Sequence, residues 1–189
     1  MSGFLLRGGT VLDATGTRTA DVRIDGAGTI ADVGPGLDAG DARTVDVDGC
    51  VVAPGLVDLH AHLREPGAED AEDVATGARA AALGGYTAVV AMPNTDPPID
   101  SAAVVGHILR AARGASCAVF PSGCISRGRD GAELAPLGEL YDLGVRIFTD
   151  DGACVADPGL MRRALEYARA LPGAVLAQHC EDPALAREG

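Results

Sequence analysis

After Pro54-Gly55 the chain alternates five times between short apolar runs of strand length and Ala-rich stretches of helical length. Strand-like runs at 56–63, 87–93, 117–125, 145–151 and 174–181 are separated by helix candidates at 71–83, 101–113, 134–143 and 158–170. Such alternation predicts right-handed βαβ units and a parallel sheet, either open and doubly wound or closed as a barrel. No GxGxxG follows the first strand and no GxxxxGK[ST] occurs, so the phosphate-binding reasons for an open sheet are missing and a barrel is favoured. Aromatic residues make up only 3% of the chain, with no Trp and 26 Gly, so the core must be built from small aliphatic side chains. Closely packed α/β layers suit that composition.

Residues 1–53 have a different texture. Short β-type runs are broken by turn residues, and alternations such as Val22 and Ile24 around Arg23, or Val45 and Val47 around Asp46, read as half-exposed strands. The expected organisation is a small β-rich module over 1–53, part of a composite β-sandwich, and a (β/α) unit over 54–189.

A net charge of −12 argues against a nucleic-acid surface, because phosphate binding rests on clustered cations. All 15 basic residues are Arg, and Lys is absent. Five scattered Cys without a CxxC pair indicate neither a disulfide framework nor a structural zinc knot, and fit reduced thiols in the cytoplasm. The apolar stretch in MSGFLLRGGT is too short for a signal peptide, and no run approaches the ~18 residues of a membrane span.

The sharpest local signal is Asp58-Leu59-His60-Ala61-His62-Leu63-Arg64. On a strand, alternate residues share a face, so Asp58, His60, His62 and Arg64 are expected on one side and Leu59, Ala61 and Leu63 on the other. Two imidazoles then converge, a good pair of ligands for Zn²⁺, although two unrelated histidines would leave the same trace. His179 and Asp151 fall at the ends of two later strands, and Asn94 just past another. Each has an ordinary reading: a core histidine, a turn with a helix N-cap, a turn residue before Pro97-Pro98. If the strands are parallel, all of them gather at one rim, where a (β/α) barrel places its active site, and the combination favours a metal site.

Together VVAPGLVDLHAHLREPG, AMPNTDPPID, FTDDG and QHCED resemble dihydroorotase of the larger bacterial type, in the amidohydrolase superfamily. The resemblance implies a (β/α)8 TIM barrel, of which about the first five βα units are present, preceded by a small N-terminal β-rich module. It implies one or two zinc ions held by His60, His62, Asp151 and His179, with His62, Arg64 and Asn94 binding substrate. Many relatives carry a carboxylated Lys as the ligand shared by both metals; the resembling subgroup uses an Asp there, which corresponds to Asp151 in place of Asp150. On a strand the two carboxylates would point to opposite sides, so only one could face the metal.

The implied activity is reversible hydrolysis of (S)-dihydroorotate to N-carbamoyl-L-aspartate in pyrimidine biosynthesis, by metal-activated hydroxide. The family continues through three more strands with a further metal-binding His and a proton-shuttle Asp, so this chain is expected to be an N-terminal portion with that Asp beyond Gly189. A homo-oligomer and association with aspartate carbamoyltransferase are implied partners. The alternatives are a hydantoinase-like or allantoinase-like ring hydrolase, which the missing Lys and the LREPG motif oppose, and a non-catalytic scaffold subunit for the transcarbamoylase.

Overall fold

The computed structural model describes residues 2–182 together with 185 and 186. It divides into two compact units, Met1–Pro54 and Gly55–Gly189. In the first, β1 (Phe4–Asp13), β2 (Gly16–Ile24) and β3 (Ile30–Gly34) form an antiparallel meander, while β4 (Arg43–Asp46) and β5 (Val51–Val52) run parallel to β1. Val11, Ala20 and Val22 form its buried centre, with Leu6, Ile24, Val33 and Val52 packed around them. The register of β1 slips between Leu6 and Gly9, and Gly8 adopts a φ of +82°. Its N–H, taken out of the ladder, donates to the buried Asp21 carboxylate at 2.9 Å, and the other oxygen of Asp21 accepts from Leu37 N at 3.0 Å. A buried carboxylate thereby satisfies two backbone donors that the slip and the following turn expose.

The second unit carries β6 (Leu56–Ala61), α1 (Val74–Leu83), β7 (Tyr86–Ala91), α2 (Ala102–Ala111), β8 (Ala118–Pro121), α3 (Leu137–Asp142), β9 (Ile147–Phe148), α4 (Pro158–Ala168) and β10 (Val175–Leu176). β6, β7 and β8 pair in parallel, as do β9 and β10. Gly123 joins the two sets through a parallel bridge to Phe148, donating to Ile147 O at 2.9 Å and accepting from Thr149 N at 2.8 Å. A Cβ at Gly123 would stand 2.9 Å from the Leu140 side chain and 3.1 Å from that of Phe148, so a larger residue would have to push both aside. The five strands of this unit thus run parallel, with Gly123, just past β8, linking the two sets.

Two of the helices, α1 and α4, begin where side chains satisfy their first N–H groups. Asp73 and Thr76 form a capping box, so α1 starts at Val74 and not at 71 as the composition suggested. Asp157 accepts from Gly159 N and Leu160 N, and Pro158 occupies the first turn of α4. The helices cover one face of the sheet. Val74, Val89, Ile99, Val105, Ile108, Ile125, Leu137, Leu140, Phe148 and Leu160 are buried there. The other face is bare of such cover, and Leu59, Phe120 and Val175 are more than half exposed.

Two strands are shorter than the sequence suggested. The run 145–151 contributes only Ile147–Phe148 to the sheet, and 174–181 only Val175–Leu176. In the first case the chain leaves the ladder because the Asp150 side chain takes over the hydrogen bonding of the neighbouring loop. No helix among the described residues is long and apolar enough to cross a membrane.

Candidate metal centre

β6 carries His60 and ends one residue before His62, and it aims His60 by departing from simple alternation. Its pairing with β7 runs Asp58↔Val89 and then Ala61↔Ala91, three steps on one strand against two on the other. That bulge sits at Leu59 and His60 and turns both residues toward one side. They line the same cavity of about 170 Å³, together with Met92, Thr149, Asp151 and His179. The expected apolar face of Leu59, Ala61 and Leu63 is corrected accordingly: Leu63 is buried, Ala61 half-buried and Leu59 62% exposed. Asp58 accepts from the His60 backbone N–H at 3.0 Å and so satisfies a donor within the bulge.

The two imidazoles meet Nε2 to Nε2 at 3.3 Å. His60 Nε2 stands 3.2 Å from Asp151 Oδ1, and His62 Nε2 stands 3.5 Å from Asp151 Oδ2. Among the described residues these three form the group whose ligand atoms all lie within 4.8 Å of one another. Ligand atoms bound at about 2.0–2.1 Å to a tetrahedral ion stand roughly 3.3–3.4 Å apart, so the observed separations match the edges of one coordination face. Two neutral imidazoles and a carboxylate also form a donor set suited to zinc. On geometry and on chemistry, the residues fit a divalent metal.

His179 approaches the same Asp151 oxygen as His60, with Nδ1 3.6 Å from Oδ1 and Nε2 2.9 Å from Glu181 Oε2. It is thus brought to the centre but stays outside the three-residue group. Asn94 is brought to the same rim, where its Oδ1 lies 2.9 Å from His62 Nδ1 and its Nδ2 is 3.5 Å from Asp151 Oδ2. Arg64 departs from the alternation that predicted a shared face with His60 and His62. The strand ends at Ala61 and Arg64 adopts a φ of +60°, its side chain exposed and without a hydrogen bond or ion pair to the described residues.

Asp150 and Asp151, expected on a strand, both lie beyond the end of β9. They nevertheless face opposite ways. Asp150, buried, accepts from Ile125 N at 2.7 Å, Ser126 N at 3.0 Å and the Ser126 hydroxyl. Burial together with the Asp150 and Asp100 carboxylates pushes the neighbouring Cys124 thiol up, well out of the reactive range. Asp151, equally buried, turns to the histidines.

Arg129 is a residue that motif reasoning passed over. It follows Ser126 in a short 3-10 turn, also with a φ of +60°, and its Nη2 donates to the Asp151 backbone carbonyl at 2.8 Å. Its buried Nε has no hydrogen-bond partner among the described residues. Nothing in the local pattern SRGRD marks it, because its partner lies 22 residues away.

With the geometry in place, comparison with known proteins is informative. A family profile described as Dihydro-orotase-like matches residues 49–189. A dihydroorotase of Streptomyces coelicolor is 50% identical over 188 residues, covering 98% of this chain and 43% of that protein. One of Mycobacterium leprae is 52% identical over 169 residues, covering 87% and 39%. Among solved structures, a D-hydantoinase from Bacillus sp. AR9 superposes with a TM-score of 0.72 at 30% identity, covering 92% of this chain and 39% of that one. The chain spans about two fifths of the length of the curated relatives it matches.

Proposed function

The chain belongs to the dihydro-orotase-like family, and from that premise we propose that its protein is a zinc-dependent dihydroorotase that opens the ring of dihydroorotate reversibly to N-carbamoyl-aspartate. The observation that carries the reading is the face formed by His60, His62 and Asp151, with mutual separations of 3.2–3.5 Å, at the ends of parallel strands. The same reading makes the five parallel strands part of a (β/α)8 barrel, makes His179 a ligand of a second metal position, and assigns the enzyme to pyrimidine synthesis in the cytoplasm.

Zinc at this face would lower the pKa of a water toward ~7 and polarise the ring carbonyl. The protein's part is to prepare the face. Asn94 Oδ1 accepts from Nδ1–H of His62, which fixes the tautomer whose Nε2 lone pair points at the centre. Arg129 holds the backbone of Asp151, and the Asp58 carboxylate holds that of His60. The Arg64 guanidinium, unengaged within the described residues, is available to grip the exocyclic carboxylate of the substrate in a two-pronged hydrogen bond. Hydantoinase-like specificity is disfavoured because Asp151 stands where the carboxylated Lys of those enzymes would be required, and the chain contains no Lys.

The test uses the full-length protein. Elemental analysis should find bound zinc, dihydroorotate should be turned over and hydantoin should not, and His60→Ala should remove both metal and turnover. Arg64→Lys should lower kcat/KM about thirtyfold, ~2 kcal/mol, since a point ammonium cannot supply two parallel hydrogen bonds. A metal-free protein with His60→Ala indistinguishable from wild type would overturn the assignment.

A further inference from the structure

The loop that follows His62 is bolted to its surroundings through one side chain. Glu65 places Oε2 2.9 Å from the backbone N–H of Val74, the first residue of α1, and Oε1 2.9 Å from His107 Nε2 on α2. The carboxylate is largely shielded while His107 remains exposed on its outer side. One residue on, Pro66 O accepts from Asp96 N at 3.0 Å. Gly67, at a φ of +106°, packs so closely that a Cβ would stand 2.5 Å from Asp96 O. The segment carrying Arg64 is therefore tied at successive residues to α1, to α2 and to the loop after β7 that carries Asn94. Arg64 itself adopts a φ of +60°, which an L-residue with a Cβ holds only when its surroundings impose it.

We propose that Glu65 is a positioning residue for substrate binding, its carboxylate clamping the loop so that Arg64 is held in its left-handed conformation, exposed and open to substrate. The inference rests on the reading of Arg64 as the group that grips the substrate carboxylate. An unclamped loop would let Arg64 relax into the helical or extended regions, swinging the guanidinium away from a fixed position relative to Asn94 and His62. Metal binding does not require the clamp, because His60, His62 and Asp151 are anchored by β6, Asn94, Asp58 and Arg129 instead.

The experiment compares Glu65→Ala, Glu65→Gln and Arg64→Ala, singly and combined, in the full-length zinc-loaded enzyme. Glu65→Ala should raise KM for dihydroorotate at least about tenfold while kcat and zinc content stay within about twofold. Glu65→Gln should recover most of the loss, since its amide can still accept from Val74 N–H and donate to the ring of His107. In the Arg64→Ala background, Glu65→Ala should add less than about twofold, because a residue that acts through Arg64 has nothing left to position. A KM within twofold of wild type in Glu65→Ala, a full additive effect in the double variant, or loss of zinc in the well-folded Gln variant would each overturn the proposal. A wild-type enzyme without dihydroorotate turnover would instead sink the functional reading beneath it.

Discussion

Oδ1 of Asn94 lies 2.9 Å from Nδ1 of His62, whose other ring nitrogen stands 3.5 Å from Asp151 Oδ2. An asparagine carried by the loop after β7 therefore presents an amide oxygen, an acceptor, to the Nδ1 of a histidine just beyond β6. We propose that Asn94 thereby supports the metal centre, beside the substrate grip that the motif suggested. Asn94→Ala should weaken zinc binding about 10–100-fold, the scale for losing the partner of a ligating histidine, while Asn94→Asp, which keeps the acceptor, should weaken it far less. Competition with a chromophoric chelator measures it, and an unchanged affinity in the Ala variant would exclude the supporting role.

Adjacent carboxylates should fail in different ways when neutralised. Asp150 accepts two backbone N–H groups and a hydroxyl inside the protein, so Asp150→Ala strands three buried donors and should cost about 3 kcal/mol of stability. Asp151→Asn should leave the urea midpoint nearly unchanged yet abolish zinc retention. Equal losses of stability in the two variants would show that the division of labour is misassigned.

At the start of α1, the backbone N–H and hydroxyl of Thr76 hydrogen-bond to Asp73 and hold its carboxyl below the usual range. A carboxyl depressed in the folded state supplies stability above its ordinary pKa of about 3.9, and that stability is lost as pH falls through the folded value. Asp73→Asn keeps the cap but not the charge, so its urea midpoint should decline less steeply than that of wild type between about pH 5 and pH 3. Parallel profiles would exclude a contribution from this group.

Leu59, Phe120 and Val175 expose apolar surface on the sheet face that carries no helices. At ~25 cal/mol per Å² such area drives association, so the 189-residue chain expressed by itself should self-associate, and Phe120→Ser should shift it toward monomer. Light scattering coupled to size exclusion reads this directly. A sharp monomer for the unaltered chain would mean that the face is covered in a way these residues do not reveal.

Much of this protein is determined by local pattern. Alternating apolar runs and Ala-rich stretches specify five strands and the helices between them, because periodicity records which face each element buries. The spacing of His60 and His62, with Asp151 and His179 near later strand ends, is enough to mark a metal site once the strands are known to be parallel. Only the tertiary structure decided how the side chains are aimed. The bulge at Leu59 and His60 is set by the register with β7, which no single segment encodes, and it overrides the alternation expected of an isolated strand. Glu65, next to Arg64, is held by α1 and α2, and Asn94 lies against His62 across 32 residues of sequence. The separate fates of Asp150 and Asp151 depend on partners 24 to 91 residues away in sequence, at Ser126 and His60. Hydrogen bonds between distant segments form only where packing brings donor and acceptor within about 3 Å, so periodicity can name the elements and candidate ligands but cannot assign their partners.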